Sequence, residues 1–292
     1  MRSTFFRVIL GLLYISGLVF VGYVITIAGE YYTLPLSERP RSPLHLHFKP
    51  GGLWGHGMGI IGSAMILLLF LYSARKREMF GLRWGKTSNW LNFHIFLGLM
   101  GPVLITLHTS FKFNGIVSIS YYSMLAVMFS GIIGRYIYMQ IPRDASGHTM
   151  SIQQLDKQDR MLTRMLREGY GLGDEVMRCI GQLSGAGLSV QRTGLAALLT
   201  LVVIDLMRPF HIHKLKRILR RTRQNIPVRT VRAIIEVAKQ KSLLMRKRAF
   251  MDSMKAVFHY WHVIHKPFAW VMIVIMFIHI IVALLFGYRW IF

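Results

Sequence analysis

Five stretches of this chain run for about 20 residues or more without a formal charge: residues 8–28, 51–74, 87–111, 113–134 and 267–288. Backbone that enters lipid must satisfy its N–H and C=O groups internally, so each run is expected to cross a membrane as a helix. The expected architecture is an all-α integral membrane protein, a five-helix transmembrane bundle with a basic helical cytoplasmic domain inserted between helices 4 and 5. Its divisions are 1–137 (helices 1 to 4), 138–258 (the basic domain) and 259–292 (helix 5). Only two arginines precede the first run and no A-x-A-like site follows it, which reads as a retained helix rather than a cleaved signal.

The chain is 53% hydrophobic and only 16% charged, yet its formal net charge is +24. The placement of that charge sets an orientation. With a cytoplasmic N-terminus, Arg2, Arg7, Arg75, Lys76, Arg77, Arg83, Lys86 and the basic run 143–266 all face inward. The outer loops keep Arg39, Arg41, Lys49, Lys112 and Arg289. This obeys the positive-inside rule and makes the third and fifth helices run in the same direction. Topology then accounts for most of the excess charge, and nucleic acid is not an expected partner.

A shorter apolar run, residues 195–207, contains Asp205 and is followed by Arg208 and Pro209. It is too short to span and reads as an interfacial or core helix of the basic domain. As a sixth span it would reverse the last helix. Around it the pattern predicts an amphipathic helix over 151–170 and a second over 174–183, ending in the turn from Gly185 to Gly187. A third helix over 194–222 is expected to break at Pro209, and a fourth begins after Pro227 and continues into the last span.

The third and fifth spans each carry two histidines fourteen residues apart, His94 with His108 and His265 with His279. At about 100° and 1.5 Å per residue, each pair returns nearly to one face, roughly 21 Å apart along the axis. Parallel helices then offer two stacked bis-imidazole sites, His94 with His265 near the cytoplasm and His108 with His279 near the far side. Two neutral imidazoles leave a haem iron no open position, which suits electron transfer. Ionisable residues within lipid are functional by default, while histidines hydrogen-bonded across helices are the plainer alternative. A sixth span would instead pair His94 with His279.

Other residues compete or assist. His262 precedes His265 by one turn, but from His262 to His279 the face rotates by roughly 100°, which favours His265. His56 at the outer end of the second span is level with His108 and His279 and is a candidate quinone-site residue or alternative outer ligand, capping by interfacial water being the plainer reading. Lys112, Arg135 and Lys266 are candidate partners for haem propionates, or snorkel to lipid headgroups. Gly98, Gly101, Gly131 and Gly134 give either room for a porphyrin or close helix packing. His45 and His47 lack acidic or cysteine neighbours for a metal, and His211 and His213 belong to the basic face. The GxGxxG at 57–62 follows no strand and reads as packing. Cys179 is the sole cysteine, which excludes intrachain disulfides, all-cysteine iron–sulfur clusters and covalently attached haem.

These four histidines on the third and fifth spans resemble the haem ligands of the ferric reductase-type transmembrane domain shared by metalloreductases and NADPH oxidases, and more loosely those of other dihaem b cytochromes. The segments HTSFKFNGIVSISYYSMLAVMFSGIIGRYIYMQIPR and FHYWHVIHKPFA are also similar to those of bacterial membrane proteins associated with respiratory electron transfer. The resemblance implies two haem b groups and a bacterial inner-membrane cytochrome. It would link a quinone or a periplasmic carrier, such as a cytochrome, to a cytoplasmic flavin or iron–sulfur protein. The family's flavin and NADPH module does not follow the last span here, and the long basic insertion is a further departure. A haem-free membrane anchor or scaffold is the rival expectation, and membrane lipids are partners in either case.

Overall fold

The computed structural model describes residues 2–81, 85–143, 149–185, 194–222 and 227–287; Arg83, Gly187, Tyr288 and Arg289 lie outside these. The described residues are all-helical. In chain order the helices are α1 (Arg2–Thr33), α2 (His45–Phe48), α3 (Leu53–Leu68), α4 (Phe70–Lys76), α5 (Thr87–His108), α6 (Val117–Gln140), α7 (Ile152–Arg164), α8 (Asp174–Ser184), α9 (Gly194–Thr222), α10 (Val228–Ala249) and α11 (Met251–Leu285).

Among the described residues six helical stretches are long and apolar enough to cross a membrane: Thr4–Thr33, His45–Lys76, Thr87–His108, Val117–Gln140, Gly194–Arg221 and Met251–Leu285. The one beyond the five expected lies in α9. Pro209 was expected to break this helix, yet α9 continues through it. A proline removes one backbone hydrogen bond and strains one turn, and flanking turns can absorb that loss. The opposite difference occurs before the last span. The helix expected to run on from Pro227 stops at Phe250, whose backbone leaves helical geometry (φ −103°, ψ 5°). The turn buries the Phe250 ring among Ile137, Leu198, Leu201 and Met254, and α11 restarts from the Phe250 carbonyl.

Two compact units result. The first comprises Met1–Ile132 with Ile264–Phe292, the second Ile133–Val263. In the first, α3 and α4 lie antiparallel to α5, and the register is read from glycines. A Cβ built on Gly59 would stand 2.6 Å from His108 Nδ1, and one on Gly62 would stand 2.9 Å from the Ile105 side chain and 3.1 Å from the Gly101 carbonyl. Only glycine lets these backbones approach so closely. The GxGxxG run is therefore a packing surface. On the other side of α5, α1 runs parallel to it, with Tyr14 edge-on to Phe96 at 5.0 Å and Tyr32 Oη donating to the Leu107 carbonyl at 3.4 Å.

α11 joins this unit through Met272, Ile273 and Met276, which pack with Ile66 of α3 and with Tyr121 and Met124 of α6. Ser120 Oγ of α6 donates to the Met272 carbonyl at 2.8 Å, and Ser130 meets His265, so α6 and α11 are antiparallel. Phe70 meets Trp270, while Ile66, one turn earlier, packs in the cluster with the later residues Met272, Ile273 and Met276, so α4 and α3 also oppose α11. Since α3 opposes both α5 and α11, those two run the same way.

The second unit has its own core. Leu166, Cys179, Ile180, Leu215, Leu219, Ile234 and Ala238 close together between α8, α9 and α10. Ser151 caps α7, its Oγ accepting from Gln154 N at 3.2 Å while Gln154 Oε1 accepts from Ser151 N at 2.8 Å, a capping box. Buried cations are individually paired. Lys241 Nζ reaches Asp159 at 2.7 Å and Thr163 at 2.6 Å, and Arg246 is paired with Asp205, which also accepts from Tyr136 Oη at 2.7 Å. The carboxylate within the apolar run of α9 is thus neutralised inside the unit.

Candidate functional site: the bundle histidines

Each of the four spaced histidines is half-buried. Ring nitrogens of His94, His108 and His265 have hydrogen-bond partners. His108 Nδ1 donates to the Gly55 carbonyl of α3 at 2.8 Å, and His94 Nδ1 donates to the Leu69 carbonyl at 3.2 Å. Leu69 sits where α3 tightens, its N–H bonding to the Ile66 carbonyl at 3.2 Å. The two acceptors, Gly55 and Leu69, are separated by the same fourteen residues as the two histidines, on a helix running the opposite way. Matched spacings on antiparallel rods engage both rings at once.

His265 Nδ1 lies 2.7 Å from Ser130 Oγ, and that hydroxyl donates its single proton to the Val127 carbonyl at 2.9 Å. With that proton on Val127, the imidazole supplies the hydrogen between them. A neutral ring that donates from Nδ1 holds its lone pair on Nε2. Histidines that ligate metals commonly carry this outer bond to a carbonyl or other oxygen, which fixes tautomer and orientation.

The rings of His108 and His279 stand 6.5 Å apart, centre to centre, inclined by 62°. His94 and His265 are bonded to different neighbours, Leu69 and Ser130 of α6 respectively. His94 packs against Tyr72 at 5.2 Å. His56 completes a trio at the other end, its ring also 6.5 Å from that of His108. Among the described residues no group of three or more His, Cys, Asp or Glu side chains is arranged to hold a metal ion by itself.

The cations expected near propionates are distributed differently. α5 ends at His108, and Ser110 and Phe111 turn with φ of 49° and 58°, so Lys112 does not follow His108 on a helical turn but lies exposed beyond it. Lys266 is exposed. Arg135 lies over the Tyr138 ring at 5.8 Å. The glycines also divide: Gly101 packs against Gly62, Met65 and Ile66, and Gly134 is filled by Trp261, whereas a Cβ on Gly131 meets nothing within 4 Å. His262 donates from Nδ1 to the Phe258 carbonyl of its own helix at 2.8 Å and lies edge-on to Phe258.

Arg39 has a role that its sequence position does not announce. Although it belongs to an outer loop, it is only 4% exposed and donates to the carbonyls of Leu34 (3.0 Å), Tyr32 (2.6 Å) and Ser110. These carbonyls end α1 and α5, where the helix dipole and the orphan acceptors favour a cation.

Comparison with family models, with curated proteins and with solved structures finds no match to this chain.

Proposed function

We propose that the chain is the membrane subunit of a bacterial redox complex, a dihaem b-type cytochrome that passes electrons across the inner membrane. His94 and His265 would hold the haem nearer the cytoplasm, and His108 and His279 the outer one. Bound there, haem supplies reversible one-electron chemistry without an open iron position. The observation that carries this reading is the engagement of Nδ1 of His94 and His108 by carbonyls of the α3–α4 rod, the outer bond that orients a ligating imidazole. The structure also brings His108 and His279 together, their ring centres 6.5 Å apart.

The parallel course of α5 and α11 supports five crossings rather than six. If α5 leaves the cytoplasm, α6 returns to it, and α11 leaves again only if α9 does not cross. The basic residues of the second unit then lie on the cytoplasmic side with the N-terminus. They favour docking of an acidic flavin or iron–sulfur protein there. A quinone or a periplasmic cytochrome would exchange electrons at the outer haem, with His56 beside His108 as the group that exchanges a proton with quinol.

The decisive experiment is a visible spectrum of the purified protein with extraction of haem. Sharp α and Soret bands on reduction, and two haems per chain, are expected. Substitution His94→Ala or His265→Ala should deplete one haem, and His108→Ala or His279→Ala the other. A colourless preparation would leave a haem-free anchor, its histidines serving only to join helices.

A further inference from the structure

α9 has two apolar faces, and only one is covered within the chain. Ala197, Leu198, Leu201 and Ile204 are 0–8% exposed and pack against Ile137, Ile141, Phe250 and Met254. On the opposite side Leu195, Leu199, Val203, Leu206 and Phe210 are 57–70% exposed. At about 100° per residue these five fall within an arc of about 80°. The same face then changes chemistry: Lys214, Arg217, Arg220 and Arg221 continue it and are all exposed. Asp205, the one carboxylate in the run, is turned inward to Arg246 and Tyr136.

We propose that this stripe is a lipid contact, with the first four turns of α9 embedded in the acyl chains of the cytoplasmic leaflet and the basic turns among anionic headgroups. From Leu195 to Phe210 the apolar face extends about 22 Å, short of the full core of about 30 Å but longer than one leaflet's hydrocarbon, so α9 lies oblique within its leaflet. The aliphatic stripe has no polar positions of the kind that rim a protein interface. The cationic end is complementary to phosphatidylglycerol or cardiolipin headgroups. The choice of leaflet rests on the five-crossing topology above; the lipid contact itself does not, and neither depends on haem.

Cys179 is buried, so single cysteines placed at Leu195, Leu199, Leu206 or Arg217 can be spin-labelled in the full chain, with the unsubstituted protein as blank. All four sites are exposed, so the label fits each. In vesicles of phosphatidylethanolamine and phosphatidylglycerol, collisions with dissolved oxygen should exceed those with a water-soluble nickel chelate several-fold at Leu195, Leu199 and Leu206. The order should reverse at Arg217. Free access of the chelate along the whole stripe would overturn the proposal and indicate a surface for a soluble partner. Shielding from both reagents would overturn it in favour of a second protein. If a membrane-impermeant quencher reached Leu195 only from the side opposite Arg217, α9 would be a sixth span: its confinement to one leaflet would be overturned together with the five-crossing topology, while the lipid contact and the haem spectrum, measured separately, stood.

Discussion

Ser130 does for His265 what backbone carbonyls do for His94 and His108, and it is the one acceptor among the three that mutation can delete. Were the proposed haem bound at His265, the hydrogen bond to Ser130 would increase electron density on the imidazole and favour oxidised iron. Ser130→Ala should keep both haems but raise the midpoint potential of one. A hydrogen bond of about 1 kcal/mol corresponds to roughly 40 mV for one electron. A redox titration in which both potentials stay put would remove Ser130 from this role. Cys179 offers a separate residue-scale test: burial is the largest influence on its thiol and pushes its pKa up. A buried, protonated thiol is a poor nucleophile, so alkylation should be slow in the folded protein and fast once detergent unfolds it.

That the histidines of each span share a helix face was legible in the sequence, because a helix returns to the same face after fourteen residues. Their acceptors were not. Every residue carries a carbonyl, and only the antiparallel register of α3 against α5 selects Gly55 and Leu69. Arg39 was equally hidden, since a charge between two spans reads as solvated unless the carbonyls that receive it can be seen.

For the elements, close approach is the governing quantity. α3 and α5 touch at Gly59 and Gly62, so Gly59→Val should push the His108 ring aside and, on the proposed function, deplete the outer haem alone. Gly131→Ala should leave both spectra intact, because the added methyl meets open space. Spectra of the two variants, side by side, separate packing from cofactor room. Arg39→Gln removes the cation that ends α1 and α5, and a loss of about 2 kcal/mol or more is expected from its charged hydrogen bonds. Thermal unfolding in detergent measures it. Pro209 and Phe250 show why helix ends were misjudged. The isolated sequence advertises the proline as a break, whereas burial of the Phe250 ring in a tertiary core decides where α10 stops.

Taken whole, the molecule has an odd number of crossings if α5 and α11 are parallel and α9 stays in one leaflet. Its two chain ends should then lie on opposite sides of the membrane. Reporters active only in the cytoplasm or only outside it, fused in turn to each end, would read this directly. Reporters on the same side would mean six crossings. The charge pattern anticipated the shared direction of α5 and α11, but it could not decide α9, whose length and apolar character satisfy a span while its inward-facing Asp205 and basic tail satisfy an interface.

The α3–α4 rod also works as a ruler with two marks, at Gly55 and Leu69. One residue inserted between Gly59 and Leu69 would rotate the second mark by about 100° relative to the first. Such a protein should keep one pigment and lose the other, a lesion made in a helix that supplies no ligand to either.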